Sequence, residues 1–294
     1  MRRALVAVIV PALVLAALSA RAQTRVEQSR PAAADALVDI ENMSGSVKLV
    51  GWDKNEVSVR GTLGRRAEGL DFTGTNNRIH IEVETRGNPH GIRSDLEISV
   101  PAGSRVKVEG FDANITVTGV TGSVAAETVN GSISQSGASK EVELQSVNGS
   151  VEVTKASGRI RAESVNGAVT LHEVSGEVEA STVNGELTVT GSTFERAHLE
   201  AVSGSIRFEG DLGKHAILEA ETVSGSVELV LPGSVSADFD VSTFSGEIEN
   251  ELGPTAPRKG RYSPEKELSF STGSGGAKVS VQTLSGGIRL RKRS

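Results

Sequence analysis

Four asparagines, Asn130, Asn148, Asn166 and Asn184, fall at a constant interval of 18 residues. So strict an interval marks a repeat architecture, in which each unit stacks on its copies and buries with them a face it could not bury alone. The apolar residues keep the same step. Ile115, Ile133, Val151, Val169 and Leu187 form one column, and Val106, Val124, Val142, Ile160 and Val178 form a second, offset by nine residues. The unit therefore has 18 residues in two strand-turn halves. Within each half apolar and polar residues alternate, as in Val151-Glu152-Val153 and Ile160-Arg161-Ala162. Period two with β-branched residues reads as strand.

The phrase carrying the interval is Val-Asn-Gly or Val-Ser-Gly, then a small or charged residue, then a branched apolar one. It runs from Met43-Ser44-Gly45-Ser46-Val47, through Val147-Asn148-Gly149-Ser150-Val151, to Leu284-Ser285-Gly286-Gly287-Ile288. Beyond residue 187 the step loosens to 19–21, and Gly246 to Gly286 is 40, read as two rungs of 20. Two architectures use strands this closely spaced: an antiparallel meander with Asn-Gly hairpins, and a solenoid of stacked coils. A hairpin at Asn148-Gly149 would set Val142 against Lys155. Stacking sets Val142 on Ile160, Val151 on Val169 and Gly149 on Gly167, like on like, with the glycines free to share a positive-φ turn. The expectation is an all-β fold, a single-stranded parallel β-solenoid of right hand with 18–21-residue rungs. Glu141, Arg159 and Glu177, and Glu143, Arg161 and Glu179, would then alternate in charge along two outward columns.

The N-terminus is of another kind. Arg2 and Arg3 precede an apolar run from Ala4 to Ala20, and Ala20-Arg21-Ala22 has the small-x-small pattern of a cleavage site. Residues 1–22 read as a secretory signal peptide. The run holds Pro11 and is short for a membrane span. No transmembrane segment is expected in the mature chain. Loss of Arg2, Arg3 and Arg21 takes the formal charge from −6 to −9, which argues against nucleic acid as a partner. The absence of cysteine excludes disulfides, thiol catalysis and Cys-ligated metals. Residues 23–36 read as a flexible linker and 37–294 as one solenoid. Its rungs are irregular over 37–110, with loops at Gly61–Arg78 and Arg86–Ser94, regular over 111–187, and looser over 188–294.

These residues resemble the bacterial β-strand-repeat family of unknown function called "putative adhesin", whose hallmark is a recurring Thr/Ser-Val-Ser/Asn-Gly-x-Ile/Val beat. Val47-Lys48-Leu49-Val50-Gly51-Trp52-Asp53 and Glu56-Val57-Ser58-Val59 look like its opening strands. Leu96-Glu97-Ile98-Ser99-Val100-Pro101 looks like the strand leading into the repeats, and the stretch from Gly276 to Gly286 like the closing rung. The resemblance covers roughly residues 36–291. It implies a parallel β-solenoid outside the cytoplasm and offers no catalytic residues. Lys140 departs from the pattern by standing where a turn glycine is usual.

The search for chemistry yields no catalytic, cofactor-binding or metal-ligating residue. There is no G-x-S-x-G elbow, no phosphate-binding glycine loop and no His pair at metal-ligand spacing among His80, His90, His172, His198 and His215. Trp52 reads as a cap over the first rung. No cofactor is expected, and the chain is read as non-enzymatic: an exported envelope protein, periplasmic, surface-bound or secreted, monomeric, that binds or scaffolds an envelope protein or polysaccharide. The alternatives are an envelope-stress sensor or accessory protein and a polysaccharide-active β-helix enzyme. Asn130, Asn148, Asn166 and Asn184 are expected to form a structural ladder at one corner. Asn250–Glu267, with Pro254, Pro257 and Pro264, is expected to leave the stack as a loop. Its Arg258, Lys259, Arg261 and Tyr262 form a candidate partner contact.

Overall fold

The computed structural model describes residues 24–85, 93–254, 258–259 and 265–293. Residues 1–22, read above as a signal peptide, lie outside them, as do Arg261 and Tyr262. The described residues form 22 strands in one mixed sheet. In chain order they begin with β1 (Thr24–Pro31), β2 (Leu37–Trp52), β3 (Glu56–Leu63), β4 (Ala67–Thr75), β5 (Arg78–Thr85), β6 (Ser94–Pro101) and β7 (Arg105–Thr118). The central strands are β8 (Ser123–Thr128), β9 (Ile133–Ser136), β10 (Glu141–Ser146), β11 (Val151–Thr154), β12 (Ser157–Ser164), β13 (Val169–Thr182), β14 (Leu187–Ser203) and β15 (Ile206–Ser224). The chain ends with β16 (Val227–Pro232), β17 (Ala237–Ser245), β18 (Ile248–Asn250), β19 (Arg258–Lys259), β20 (Lys266–Thr272), β21 (Ala277–Ser285) and β22 (Ile288–Arg293).

From β7 to β15 every pairing is parallel and follows the interval. β10 sets Val142 beside Ile160 and Leu144 beside Ala162, and β11 sets Val151 beside Val169. Asn-Gly hairpins are thereby excluded from this stretch. The alternation decides what lies inside. Val142, Leu144, Val151, Val153, Ile160, Ala162 and Val169 are all buried, so each rung contributes apolar residues from two faces to a continuous core. Gln135 interrupts it. The residue is fully buried between Val117 and Val153. Its Nε2 donates to Gly137 O and Ser139 Oγ, each at 3.0 Å.

The turn glycines are required for a different reason than a positive φ. Gly149 and Gly167 are not among the positive-φ residues. A Cβ on Gly149 would lie 1.9 Å from Gly131 O, and one on Gly167 2.1 Å from Gly149 O. The backbone of each turn sits directly against that of the previous one, and only a residue without Cβ allows that approach. The positive-φ corner is the opposite one, at Gly119, Gly137, Lys155 and Glu173, with a second set at Gly158 and Gly176. A buried hydroxyl preceding Val-Asn-Gly closes the same turn. Ser146 Oγ donates to Gly131 O at 2.8 Å, Ser164 Oγ to Gly149 O at 2.8 Å and Thr182 Oγ1 to Gly167 O at 2.9 Å.

The interval loosens after residue 187 because the rungs widen around aromatics. Phe194 and Phe208 are fully buried with ring centroids 4.9 Å apart. Register shifts between Thr190 and Thr193 and between Phe194 and Arg196 take up the added residues. Gly191 and Gly210 make the room, since a Cβ on either would lie within 2.7 Å of the Phe194 ring.

Neither end follows chain order. β2 lies between β5/β6 on one side and β7 on the other. At the far end β21 and β22 insert between β15/β16 and β17/β18. The interval from Gly246 to Gly286 is thus a return into the stack, not two successive rungs, and the stretch from Gly276 closes the chain without forming the last rung in space. Antiparallel strands then cover the outer edges: β4 on β5, β3 on β6, β1 on β3 and β20 on β17. Covering an open edge removes the unpaired backbone groups that would template association.

This arrangement corrects five expectations. The sheet is mixed rather than purely parallel. Within the stretch 23–36 expected to be a flexible linker, Thr24–Pro31 form β1, which pairs with β3 along its whole length. The Gly61–Arg78 segment contains β4. Asn250–Glu267 does not simply leave the stack, because β19 pairs with β20, which lies on β17. Trp52 does not cap an end, since its rung is internal. Its Nε1 donates to Glu56 O at 2.8 Å, and the Lys54 ammonium sits 4.8 Å from its ring.

Candidate functional site

Strand alternation places Arg159, Arg161 and Glu163 outward on β12, and stacking repeats those positions on every rung. The first two columns alternate in sign. Arg159 lies 3.7 Å from Glu177, and Arg161 3.3 Å from Glu179. The second column continues from Glu179 to His198 and Glu219. The His198 ring contacts Glu200 at 2.8 Å and Glu219 at 3.1 Å. Partial burial lowers the imidazole pKa, but the hydrogen bonds and charges of Glu200 and Glu219 outweigh it and raise the value above 6.5. The alternation thus continues through His198 while it is protonated.

The third column is different. In spatial order it reads Asp71, Glu82, Glu41, Glu109, Glu127, Gln145, Glu163, Ser181, Glu200, Glu221, Gln282, Ser242 and Glu267. From Asp71 to Glu267 it holds no lysine or arginine, and Arg258 of β19 stands in register with Glu267 at its end.

At the corner beside it stand the valines of the recurring phrase. Parity along the strand decides their direction. Val124, Ala126 and Thr128 point inward, so Val129 must point outward. Val147, Val165, Val183, Val202 and Val223 follow, then Leu284 and Phe244, with Met43 toward the other end; all but the half-buried Val129 are 38% to 54% exposed. The result is an apolar stripe running along the stack. Two shallow depressions lie between it and the acidic column. One, of about 420 Å³, is lined by Glu109, Glu127 and Glu163 against Val129, Val147, Val165 and Val183. The other, of about 540 Å³, is lined by Glu200 and Glu221 against Val202, Val223, Phe244 and Leu284.

The asparagines border the stripe on its other side. Asn130 Nδ2 donates to Asp112 Oδ1 at 2.6 Å, Asn148 to Asn130 Oδ1 at 2.8 Å, Asn166 to Asn148 Oδ1 at 2.9 Å and Asn184 to Asn166 Oδ1 at 2.9 Å. Ser203, Ser224, Ser285 and Ser245 continue the line. A linear, three-part surface results: acidic, apolar, then neutral polar.

The other candidate contact is only partly placed. Arg258 and Lys259 form β19, opposite Glu267 and Lys266, while Arg261 and Tyr262 lie outside the described residues. His172 is exposed and bonds Thr190 Oγ1 at 2.7 Å. Among the described residues no cluster of His, Asp or Glu is arranged to hold a metal ion, and no helix is long and apolar enough to cross a membrane. The stripe and the acidic column are the features that residue-by-residue reading misses. Both keep the 18-residue step between residues 109 and 183, and strand parity was the signal that could have found them.

The family model for Toastrack DUF4097 matches residues 35–291. Among solved structures, a "putative adhesin" from Parabacteroides distasonis has a TM-score of 0.53 at 9% identity, over 91% of this chain and 97% of that one. A "putative adhesin" from Parabacteroides merdae has a TM-score of 0.49 at 9% identity, over 91% and 96%. One from Bacteroides fragilis has 0.47 at 12% identity, over 92% and 98%. At these identities the first likeness concerns the fold alone. No curated protein matches the chain in sequence.

Proposed function

Because the chain belongs to the Toastrack DUF4097 family, we propose that it is a non-catalytic binding or scaffold protein of the cell envelope, with the corner stripe as its contact surface. It is exported through residues 1–22 and folds as a right-handed parallel β-solenoid whose ends are closed by antiparallel strands. The observation that carries this reading is the apolar stripe. Single exposed apolar residues are ordinary, but a continuous line of them, rimmed by polar columns, is characteristic of an interaction surface. The periodic backbone holds these side chains in one line, and a binding partner meets a pre-ordered surface. The "putative adhesin" name of the Parabacteroides distasonis protein, which shares the fold, agrees with a binding role.

The test has two parts. Fractionation with N-terminal sequencing should place the mature chain, beginning at Gln23, outside the cytoplasm. Immobilised residues 23–294 should capture envelope components, and the Val147→Ser/Val165→Ser variant should lose them while keeping its melting temperature. Cytoplasmic retention of the intact chain, or capture indifferent to the stripe, would defeat the reading.

A further inference from the structure

We propose that the groove between the acidic column and the apolar stripe docks a basic amphipathic helix of a partner polypeptide. The helix would set one apolar side chain per turn on the valines and one Lys or Arg per turn on the acids. The proposal rests on the binding role above and names the partner's chemistry.

The first observation is a contrast in charge. Elsewhere on the outward face carboxylates stack on basic residues one rung away, as in Glu141–Arg159–Glu177, Glu143–Arg161–Glu179, and Arg207 beside Glu228. The third column instead stacks like on like. Asp71, Glu82, Glu41, Glu109 and Glu127 are five acids in succession, and Glu200 stacks on Glu221. Like charges in direct register are destabilising. Some relief comes sideways from the second column, where Lys107 pairs with Glu109, Arg161 with Glu163, His198 with Glu200 and His80 with Glu82. Glu41 and Glu221 form no ion pair among the described residues. A cationic partner would supply the counter-charge that the stack lacks here.

The second observation is the placement of the stripe. Both depressions have one acidic wall and one apolar wall, so an occupant must be basic on one edge and apolar on the next. The opposite border, the Asn/Ser line, is uncharged from Asn130 to Ser245, with the Asp112 carboxylate at its start. That combination selects an amphipathic cation and disfavours an anionic membrane surface.

The third is the repeat distance. Stacked strands repeat at about 4.8 Å, and a helix presents the same face at each turn of about 5.4 Å. The mismatch is about 0.6 Å per turn, so roughly four turns, about 15 residues, stay in step within half a rung. An extended peptide repeats its face at about 6.7 Å and falls out of step at once. The two columns sit two residues apart along the chain, about 6.7 Å in extended backbone, and a helix about 10–12 Å across covers both.

The test uses residues 23–294 and three labelled 15-residue peptides. One is a Leu/Lys sequence with a helical apolar seam, one has the same composition in alternating order, and one is the Leu/Glu counterpart of the first. Anisotropy titrations should show the seamed Leu/Lys peptide binding at least tenfold tighter than either control, and more weakly as salt rises. Glu127→Gln/Glu163→Gln should weaken it about fivefold or more and flatten the salt dependence. Val147→Ser/Val165→Ser should weaken it about tenfold. Glu127, Val147 and Val165 are exposed and Glu163 is half-buried, and circular dichroism with the melting temperature verifies that the fold is kept. Equal binding of all three peptides, or binding indifferent to both variants, overturns the proposal. So does phosphatidylcholine-vesicle binding that displaces the peptide and survives the Glu→Gln variant. If no peptide binds while the Val→Ser variant still abolishes envelope capture, the helix proposal falls and the broader binding role stands.

Discussion

Replacing Gly149 with alanine tests the claim that backbone contact, not turn conformation, holds the recurring phrase in place. The new Cβ would lie 1.9 Å from Gly131 O and 2.4 Å from Gly131 C, against an ordinary contact distance of at least 3.4 Å. The turn must therefore move by about 1.5 Å. Three rung-to-rung bonds cross that gap, each at 2.8 Å: Asn148 N to Val129 O, Asn148 Nδ2 to Asn130 Oδ1 and Ser146 Oγ to Gly131 O. Stretched by more than 1 Å, they cease to be hydrogen bonds. At about 0.5–1.5 kcal/mol each, the loss is about 2–4 kcal/mol. The usual gain of about 0.4–1 kcal/mol from stiffening the unfolded chain leaves a net destabilisation of about 2–3 kcal/mol. For a domain of this size that is a drop of roughly 5–10 °C in Tm. Gly287→Ala is the control. Its Cβ would meet only Glu247 O, at 3.6 Å, and the φ is not positive, so Tm should hold or rise slightly. Thermal melts followed by circular dichroism read both variants. A Gly149→Ala protein melting within about 1 °C of wild type, or a Gly287→Ala protein losing as much, would refute the close-approach argument.

Val169 is fully buried between Val151 and Leu187; Val169→Asp should cost more than about 4 kcal/mol by leaving an unpaired buried charge, and an unchanged urea midpoint would reject the register. Asn166→Ala removes two exposed ladder bonds and should cost about 1–2 kcal/mol; unchanged stability with loss of captured partner would instead make this line a contact edge. His198 titrates above 6.5 in the fold, so protonation favours the folded state. Its contribution is full below about pH 6.5 and fades as pH rises through the folded value; His198→Gln should remove that part of the stability–pH profile, and an NMR titration placing His198 at or below the free-imidazole value would contradict it.

The inward columns, the two-half unit and the alternation of charge at Glu141, Arg159 and Glu177 are legible in the amino-acid order. They arise from a local rule, period two along a strand, multiplied by a constant interval. The direction of Val147 and Val165 follows from the same parity, yet their hydrophobicity suggests the core. Only the tertiary structure reveals that each turn brings the backbone of Gly149 onto Gly131, which places the preceding valines, Val147 and its copies, on a surface stripe. The ends were decided wholly in three dimensions. β2 and β21 each take a place between strands distant in sequence, and β1, β4 and β20 cover edges that nothing local specifies. An interval counts residues along the chain, whereas the closing of an edge depends on which distant strand satisfies its exposed backbone groups.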